Sequence, residues 1–414
     1  MTQIGKPNLF GIKVVKNENN IKKEAIEKQS VEQTDVKDTN LNEAPNGHYG
    51  RVMVNKVSNQ LKNMSKHTKD FFRACLVGGA IGDAVGRPIE RVRIWDIKSR
   101  YGKDGIQDMA TVGLKGRFTD DTQMTIFTAD GLIKSALKTG DTKQAPDYNV
   151  VYDSYKDWYT TQVEGRENEP KIMNDQGWVG ELEELYYPNG AGRNTLAAMK
   201  NGIMGTPEAP INDAKSCGAV MRVAPVGLMY YDNPELAFEV GVRCGAMTHC
   251  NPTAYLPAGT FAAMVAYVIQ GDTPEVAFDK SIEILKKHEH SDDLVSLLEK
   301  AKEYAHDDKL NHEVAIDKLG QGWNGDEALA ITAYCVLKEP HDFRKAILMA
   351  VNHNGDSDST GAMVGNILGA YLGMDKLPSH WAKNVELSNE ISQLADDLYA
   401  PEEIENAHEK YPLN

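Results

Sequence analysis

Two short stretches of this chain concentrate oxygen donors: Thr119-Asp120-Asp121-Thr122 and Gly355-Asp356-Ser357-Asp358-Ser359-Thr360. They stand more than half the chain apart. Packed together, their carboxylates would repel unless cations lay between them. Ligands made only of oxygen suit Mg²⁺ or Mn²⁺ rather than Zn²⁺. The pattern points to a binuclear hard-metal centre that joins the first and last thirds of the chain. Taken alone, Asp120-Asp121 also fits the first turn of a helix, where the dipole stabilises acidic side chains without a metal. The second cluster, wedged between the apolar run 346–351 and a glycine-striped segment, is harder to explain as a cap. Its DxDxT string also resembles the nucleophile loop of haloacid-dehalogenase phosphatases. That fold needs a parallel sheet and further downstream motifs, whereas only 56 residues follow Asp358 and no βαβ alternation is present.

The elements that must position these residues read as helices. Apolar periodicity marks helical segments around 66–85, 123–138, 149–162, 235–246, 253–269, 274–288, 292–305, 325–337, 341–351, 358–373 and 386–399. Strand-like alternation is scarce, so the body is expected to be one all-α domain over 69–414. Gly78, Gly82 and Gly86 recur at every fourth position, as do Gly361, Gly365, Gly369 and Gly373. Glycine inside a helix costs roughly 1 kcal/mol relative to alanine. Such a row is tolerated where a neighbouring backbone comes close. Two tightly packed helices would then carry Asp83 and the Asp358 cluster into one centre.

Residues 1–68 differ from this body. They hold eleven Lys/Arg against seven Asp/Glu, about +4 in a chain of net charge −15. Their apolar content is too low to offset ordering entropy, so they read as a disordered tail or as an arm that binds a partner. The acidic remainder argues against nucleic acid or anionic lipid as a partner. No apolar h-region opens the chain, and no stretch is expected to span a membrane. Five scattered cysteines without CxxC spacing suit free thiols in the cytoplasm.

Together the motifs resemble those of the ADP-ribosylglycohydrolases. The run from Gly82-Asp83-Ala84 to Pro88-Ile89-Glu90 is similar to the family's GDAxGxPxE opening. Residues 119–122 match its TDDT, 218–225 its GAxMRxAP element, 248–252 its TH-x-x-P segment and 355–359 its GDTDT. The resemblance covers about residues 70–375. It implies a mostly helical hydrolase with two Mg²⁺ or Mn²⁺ ions held by Thr119, Asp120, Asp121, Asp356, Asp358 and Ser359. The implied reaction is release of ADP-ribose from a modified protein side chain, often arginine, by attack of water on the anomeric carbon. Asp120, Asp121 and Asp358 are candidate proton acceptors, and Glu90 takes a gating or metal-linked role.

The phosphate end of such a substrate needs donors. Small residues at Ser216, Gly218 and Ala219 let backbone N–H groups approach a pyrophosphate, and Gly190-Ala191-Gly192-Arg193 is a second loop of this kind. His249 is a candidate for the ribose pocket, and Trp323 for stacking on the base or target residue. A lone histidine is more often a satisfied scaffold residue, and a tryptophan in such a loop serves as often for core packing or as a loop anchor. Arg222, before Val-Ala-Pro, reads as a buried structural bridge. Ser359 replaces a common threonine and keeps the oxygen, while Asn354 stands where glycine is frequent. The extension is similar to that of immunity proteins in this family that counter ADP-ribosyltransferase toxins. An arm that occludes a toxin, with or without turnover by the core, is therefore the rival reading.

Overall fold

The computed structural model describes residues 65–163 and 177–413. The extension, up to residue 64, lies outside the described residues. Among the described residues, seventeen α-helices follow in order. The first seven are α1 (Lys69–Gly86), α2 (Ile94–Tyr101), α3 (Asp120–Thr139), α4 (Tyr148–Val163), α5 (Arg193–Asn201), α6 (Ala224–Met229) and α7 (Pro234–Ala246). Then come α8 (Pro252–Gln270), α9 (Pro274–Leu285), α10 (Asp292–His306), α11 (His312–Leu319) and α12 (Gly325–Lys338). The last are α13 (Phe343–Val351), α14 (Ser357–Leu372), α15 (Ser379–Asn384), α16 (Ser388–Tyr399) and α17 (Ala407–Lys410). No strand or sheet occurs among the described residues, only three isolated bridges. All eleven helical segments expected from periodicity are helices. The additional ones, such as α2, α5 and α11, are short and carry too few apolar residues to show a period.

The centre of the fold is the antiparallel pair α1 and α14. Their glycine stripes face each other so closely that a methyl group on Gly82 would fall on the carbonyl of Gly361, and one on Gly365 on that of Gly78. Asn366 closes the seam by donating through Nδ2 to the carbonyl of Cys75 at 2.8 Å. The two backbones therefore touch without intervening side chains, and the C-terminal end of α1 meets the N-terminal end of α14.

Helix α8 corrects one expectation. Over Pro252–Gln270 it is long and apolar enough to cross a membrane, contrary to the reading that no stretch reaches that length. Yet 78% of the qualifying stretch is buried inside the protein, where α8 packs against α7, α9 and α12 as a core helix. A helix apolar on all sides is what a large helical core requires at its middle.

Candidate metal centre and substrate cleft

The first acidic motif opens α3. Thr119 is its N-cap, with extended backbone, and Asp120 and Asp121 form the first turn. Beneath them lies Asp83 from the last turns of α1. Its carboxylate accepts from the backbone N–H of Thr119 at 2.9 and 3.0 Å, from that of Thr122 at 3.0 Å, and from the Thr122 hydroxyl. A buried carboxylate thus holds the loop that presents two others. On the outer side, the Asn189 carbonyl accepts from Asp120 N at 2.9 Å, while Asn189 Nδ2 donates to the Phe118 carbonyl at 2.6 Å.

The second motif opens α14, with Asp356 at the N-cap position and Asp358 in the first turn. Here main-chain bonds do the holding. Asp356 N donates to the Gln321 carbonyl at 2.8 Å, and Arg91 N donates to the Gly355 carbonyl at 3.1 Å. Gly355 sits at φ +155°, and a Cβ there would collide with the Gln321 carbonyl oxygen. Asn354, which replaces a common glycine, is not among the positive-φ residues. Its side-chain oxygen instead accepts from Ile94 N at 2.8 Å and ties the loop to the start of α2. Cys217 Sγ donates to Asp356 Oδ2 at 2.7 Å.

Because α1 and α14 touch, the two motifs meet. Asp120, Asp121, Asp356, Asp358 and Ser359 all line one cleft of about 870 Å³, with Glu90 at its edge. Carboxylate oxygens of Glu90, Asp356 and Asp358 lie within 4.8 Å of one another. All four aspartates are at most 5% exposed. Burial pushes the Asp120 carboxyl up to about 7, helped by Asp83, Asp356 and Glu90 and opposed by the N–H of Gly192. Asp121 and Asp358 are held well above the usual range by burial and then by their carboxylate neighbours. Two helix N-termini aimed at the cluster offset part of this repulsion, each by up to about 1–2 kcal/mol. They do not neutralise four to five carboxylates. Asp121 Oδ1 is shut away from solvent without a hydrogen-bond partner among the described residues. An oxygen-only donor set with an orphaned carboxylate oxygen fits hard divalent cations.

Comparison with known proteins identifies the family. The family model described as ADP-ribosylglycohydrolase matches residues 64–407. The chain belongs to the ADP-ribosylglycohydrolase family. It is 26% identical over 365 residues to ADP-ribosylhydrolase ARH3 of Bos taurus, covering 79% of this chain and 92% of the relative. It is 26% identical over 346 residues to ADP-ribosylarginine hydrolase Tri1 of Serratia proteamaculans, covering 81% of each. Among solved structures it superposes on a chain of an "ADP-ribosylglycohydrolase-related protein complex" with TM-score 0.57 and 23% identity, over 80% of this chain and 98% of the other. Membership of this family supports removal of ADP-ribose as the chemistry.

The remaining candidate residues surround the acidic centre of this glycohydrolase. Ser216, Gly218, Gly192 and Trp323 line the same cleft. Ala219 is buried in the single 3-10 turn Cys217–Ala219. Cys217 N donates to the Trp323 carbonyl at 3.0 Å, so the small-residue loop and the tryptophan form one wall. Gly192 N donates to Asp120 Oδ2 at 3.2 Å. His249 is fully buried behind the cleft, with Nε2 2.8 Å from the Ser216 hydroxyl and Nδ1 2.8 Å from that of Thr248. Burial, with Arg222 nearby, lowers its pKa to about 3, so it is neutral, and its contact with the cleft wall is the one to Ser216. Arg222 lies in the core against the Tyr155 ring and donates to Thr248 Oγ1 at 2.7 Å, the structural bridge expected of it.

Sequence reasoning missed four residues here. Thr195 lines the cleft, and its buried hydroxyl has no partner among the described residues. A Cβ on Gly218 would lie 3.0 Å from that hydroxyl and one on Gly192 3.5 Å, so it stands between the two small-residue loops. Cys217 and Asn189 contact the motifs, and Arg91 occupies the mouth. Arg91 and Cys217 adjoin recognised motif residues, a signal that was available. Nothing in the spacing of Thr195 or Asn189 distinguishes them from ordinary loop and helix residues.

Proposed function

We propose that this protein hydrolyses the N-glycosidic bond between ADP-ribose and a modified protein arginine. In this reading two divalent cations, Mg²⁺ or Mn²⁺, are held by Thr119, Asp120, Asp121, Asp356, Asp358 and Ser359. The observation that carries it is the burial, on the wall of one cleft, of four aspartates from distant parts of the chain. When bound, the cations would supply charge neutralisation, a grip on the vicinal ribose hydroxyls and a more acidic water.

The chain's own residues do the rest. Backbone N–H groups around Gly218 and Ala219, together with the Thr195 hydroxyl, offer donors to the pyrophosphate, while that of Gly192 is engaged by Asp120 and the Gly192 loop borders the same cleft. Neutral His249 orients the Ser216 hydroxyl beside them. Asp120, Asp121 and Asp358, whose carboxyls are raised by burial, are placed to take the proton of the attacking water. Glu90, beside Asp356 and Asp358, gates or completes the metal set. The name of the Tri1 relative supports arginine as the acceptor.

The test is ADP-ribose release from a mono-ADP-ribosylated arginine protein, with Mg²⁺, with Mn²⁺ and with chelator. Release that requires metal and is lost in Asp120→Ala and Asp358→Ala supports the reading. No release from arginine, serine or base conjugates by folded, metal-loaded protein overturns it in favour of a non-enzymatic binding role. The charge contrast between residues 1–68 and the acidic body favours a second role, occlusion of a transferase toxin by the basic extension. Deleting residues 1–60 tests it: unchanged affinity for such a toxin ends the idea. All five cysteines are buried free thiols, which suits the cytoplasmic setting proposed for both roles.

A further inference from the structure

The cleft is lined by carboxylates, and Arg91 reaches into its mouth. Arg91 Nε donates to Glu90 Oε1 at 2.8 Å, and its guanidinium lies 5.5 Å from the centroid of the Trp323 ring. Asp356 and Asp358 face it from the floor of the cleft. Its backbone is held at φ +63°, unusual for a residue with a side chain, by the bond from its N–H to the Gly355 carbonyl. The side chain itself is 63% exposed, whereas that of Glu90 is 18% exposed. The carboxylate is thus built into the wall, while the guanidinium rests on it from outside. Only the guanidinium side of this pair is open to solvent, so a competing cation can reach Glu90 by displacing Arg91.

A carboxylate beside an indole face is a good receptor for a planar, weakly hydrated cation. Lysine would fill such a place less well, because its compact ammonium is more strongly hydrated and does not stack. Trp323 is kept there by its own contacts: its Nε1 donates to Gln321 Oε1 at 3.2 Å, and its carbonyl accepts from Cys217 N. The seat therefore sits between the acidic centre and the small-residue loop, on the wall of the same cleft.

We propose that Arg91 occupies, in the free protein, the seat that receives the guanidinium of an ADP-ribosylated arginine. The inference rests on the hydrolase reading above and deepens it. Entry of the substrate exchanges one guanidinium for another between Glu90 and Trp323, so that no charge is buried that was not already paired. Arg91 swings outward about its fixed backbone. A serine conjugate brings no cation and leaves Arg91 where it is. Arg91 is in this sense a gate selective for the acceptor side chain.

Agmatine, an arginine without its carboxylate, is the probe. Its binding to Mg²⁺-loaded full-length protein is measured by calorimetry for wild type, Arg91→Ala and Trp323→Ala, with butylamine as the non-planar control. With the seat vacated, Arg91→Ala binds agmatine about fivefold more tightly than wild type, a gain typical of an unobstructed cation–π and carboxylate contact. Butylamine gains less, and Trp323→Ala binds agmatine more weakly than wild type. Equal agmatine affinity in wild type and folded Arg91→Ala overturns the proposal, as does an equal gain for butylamine. The two readings fail separately. Hydrolysis of conjugates without an agmatine effect removes the seat and keeps the enzyme, whereas the agmatine effect without release of ADP-ribose keeps the seat and removes the enzyme.

Discussion

The two acidic motifs present carboxylates to the same cleft but differ in their principal support. Thr119–Thr122 rests on a charged side chain, Asp83, which collects three donors from that loop. The loop from Gly355 to Ser359 hangs on main-chain bonds from Asp356 N to Gln321 and from Arg91 N to Gly355. A carboxylate support adds another negative charge to a cluster that already repels itself, and it is sensitive to any change in ionisation. A backbone support adds no charge and depends on conformation alone. The first motif should therefore be vulnerable to side-chain chemistry and pH, and the second to sterics.

The largest effect is expected at Asp83. Asp83→Ala leaves two backbone N–H groups and a hydroxyl without their acceptor, at about 4 kcal/mol of stability net of the repulsion relieved, measurable by denaturant unfolding. Asp83→Asn keeps an acceptor and should cost about half as much. If the alanine variant is as stable as wild type, the first motif does not depend on its charged support. Next is Gly355→Ala, which puts a methyl on the Gln321 carbonyl at a positive φ. It should cost about 3 kcal/mol, with the same loss at pH 5 and pH 8. A loss that varied strongly with pH would break the contrast.

The smallest effect sharpens it. Glu386 is buried behind the strand-like approach to the first motif, where its N–H donates to the Gly116 carbonyl at 2.9 Å and its carboxylate lies 3.9 Å from Arg117. Burial raises its pKa from 4.5 to about 7. Between those values the unfolded chain has released a proton that the folded protein still binds, so stability falls as pH rises from 4.5 to 7 and stays low above. Glu386→Gln removes that penalty. It should stabilise the protein by about 2 kcal/mol at pH 8 and scarcely at pH 4.5, as thermal melts at the two pH values would register.

Much of this arrangement was readable in the chain. The glycine stripes at every fourth position announced that α1 and α14 would touch, because nothing else makes such a row tolerable in a helix. From that contact, the meeting of the first motif, which rests on Asp83, with the Asp358 cluster followed. The carboxylate density of the two motifs carried the chemistry. What escaped was set by loops that approach one another only in the folded state. Thr195 matters because Gly192 and Gly218 flank it, and Asn189 because it reaches back to Phe118 and Asp120; neither relation leaves a period in the sequence. His249 shows the reverse limit. Its motif made it a candidate for the ribose pocket, yet the packing buries it behind Ser216, off the cleft wall.

The seam between α1 and α14 also constrains how the protein comes into being. Asn366 and Cys75, which bond across it, are separated by 291 residues, so the pairing is among the most non-local contacts a domain of this size can make. Contacts of that kind form late, after most of the chain's loop entropy has been surrendered. During synthesis, α1 must wait with an apolar, glycine-lined face uncovered until α14 has emerged from the ribosome. The acidic centre cannot assemble before then. A nascent chain stopped short of residue 356 would carry Asp120 and Asp121 without their counterparts, and its first helix would be left for a chaperone to cover.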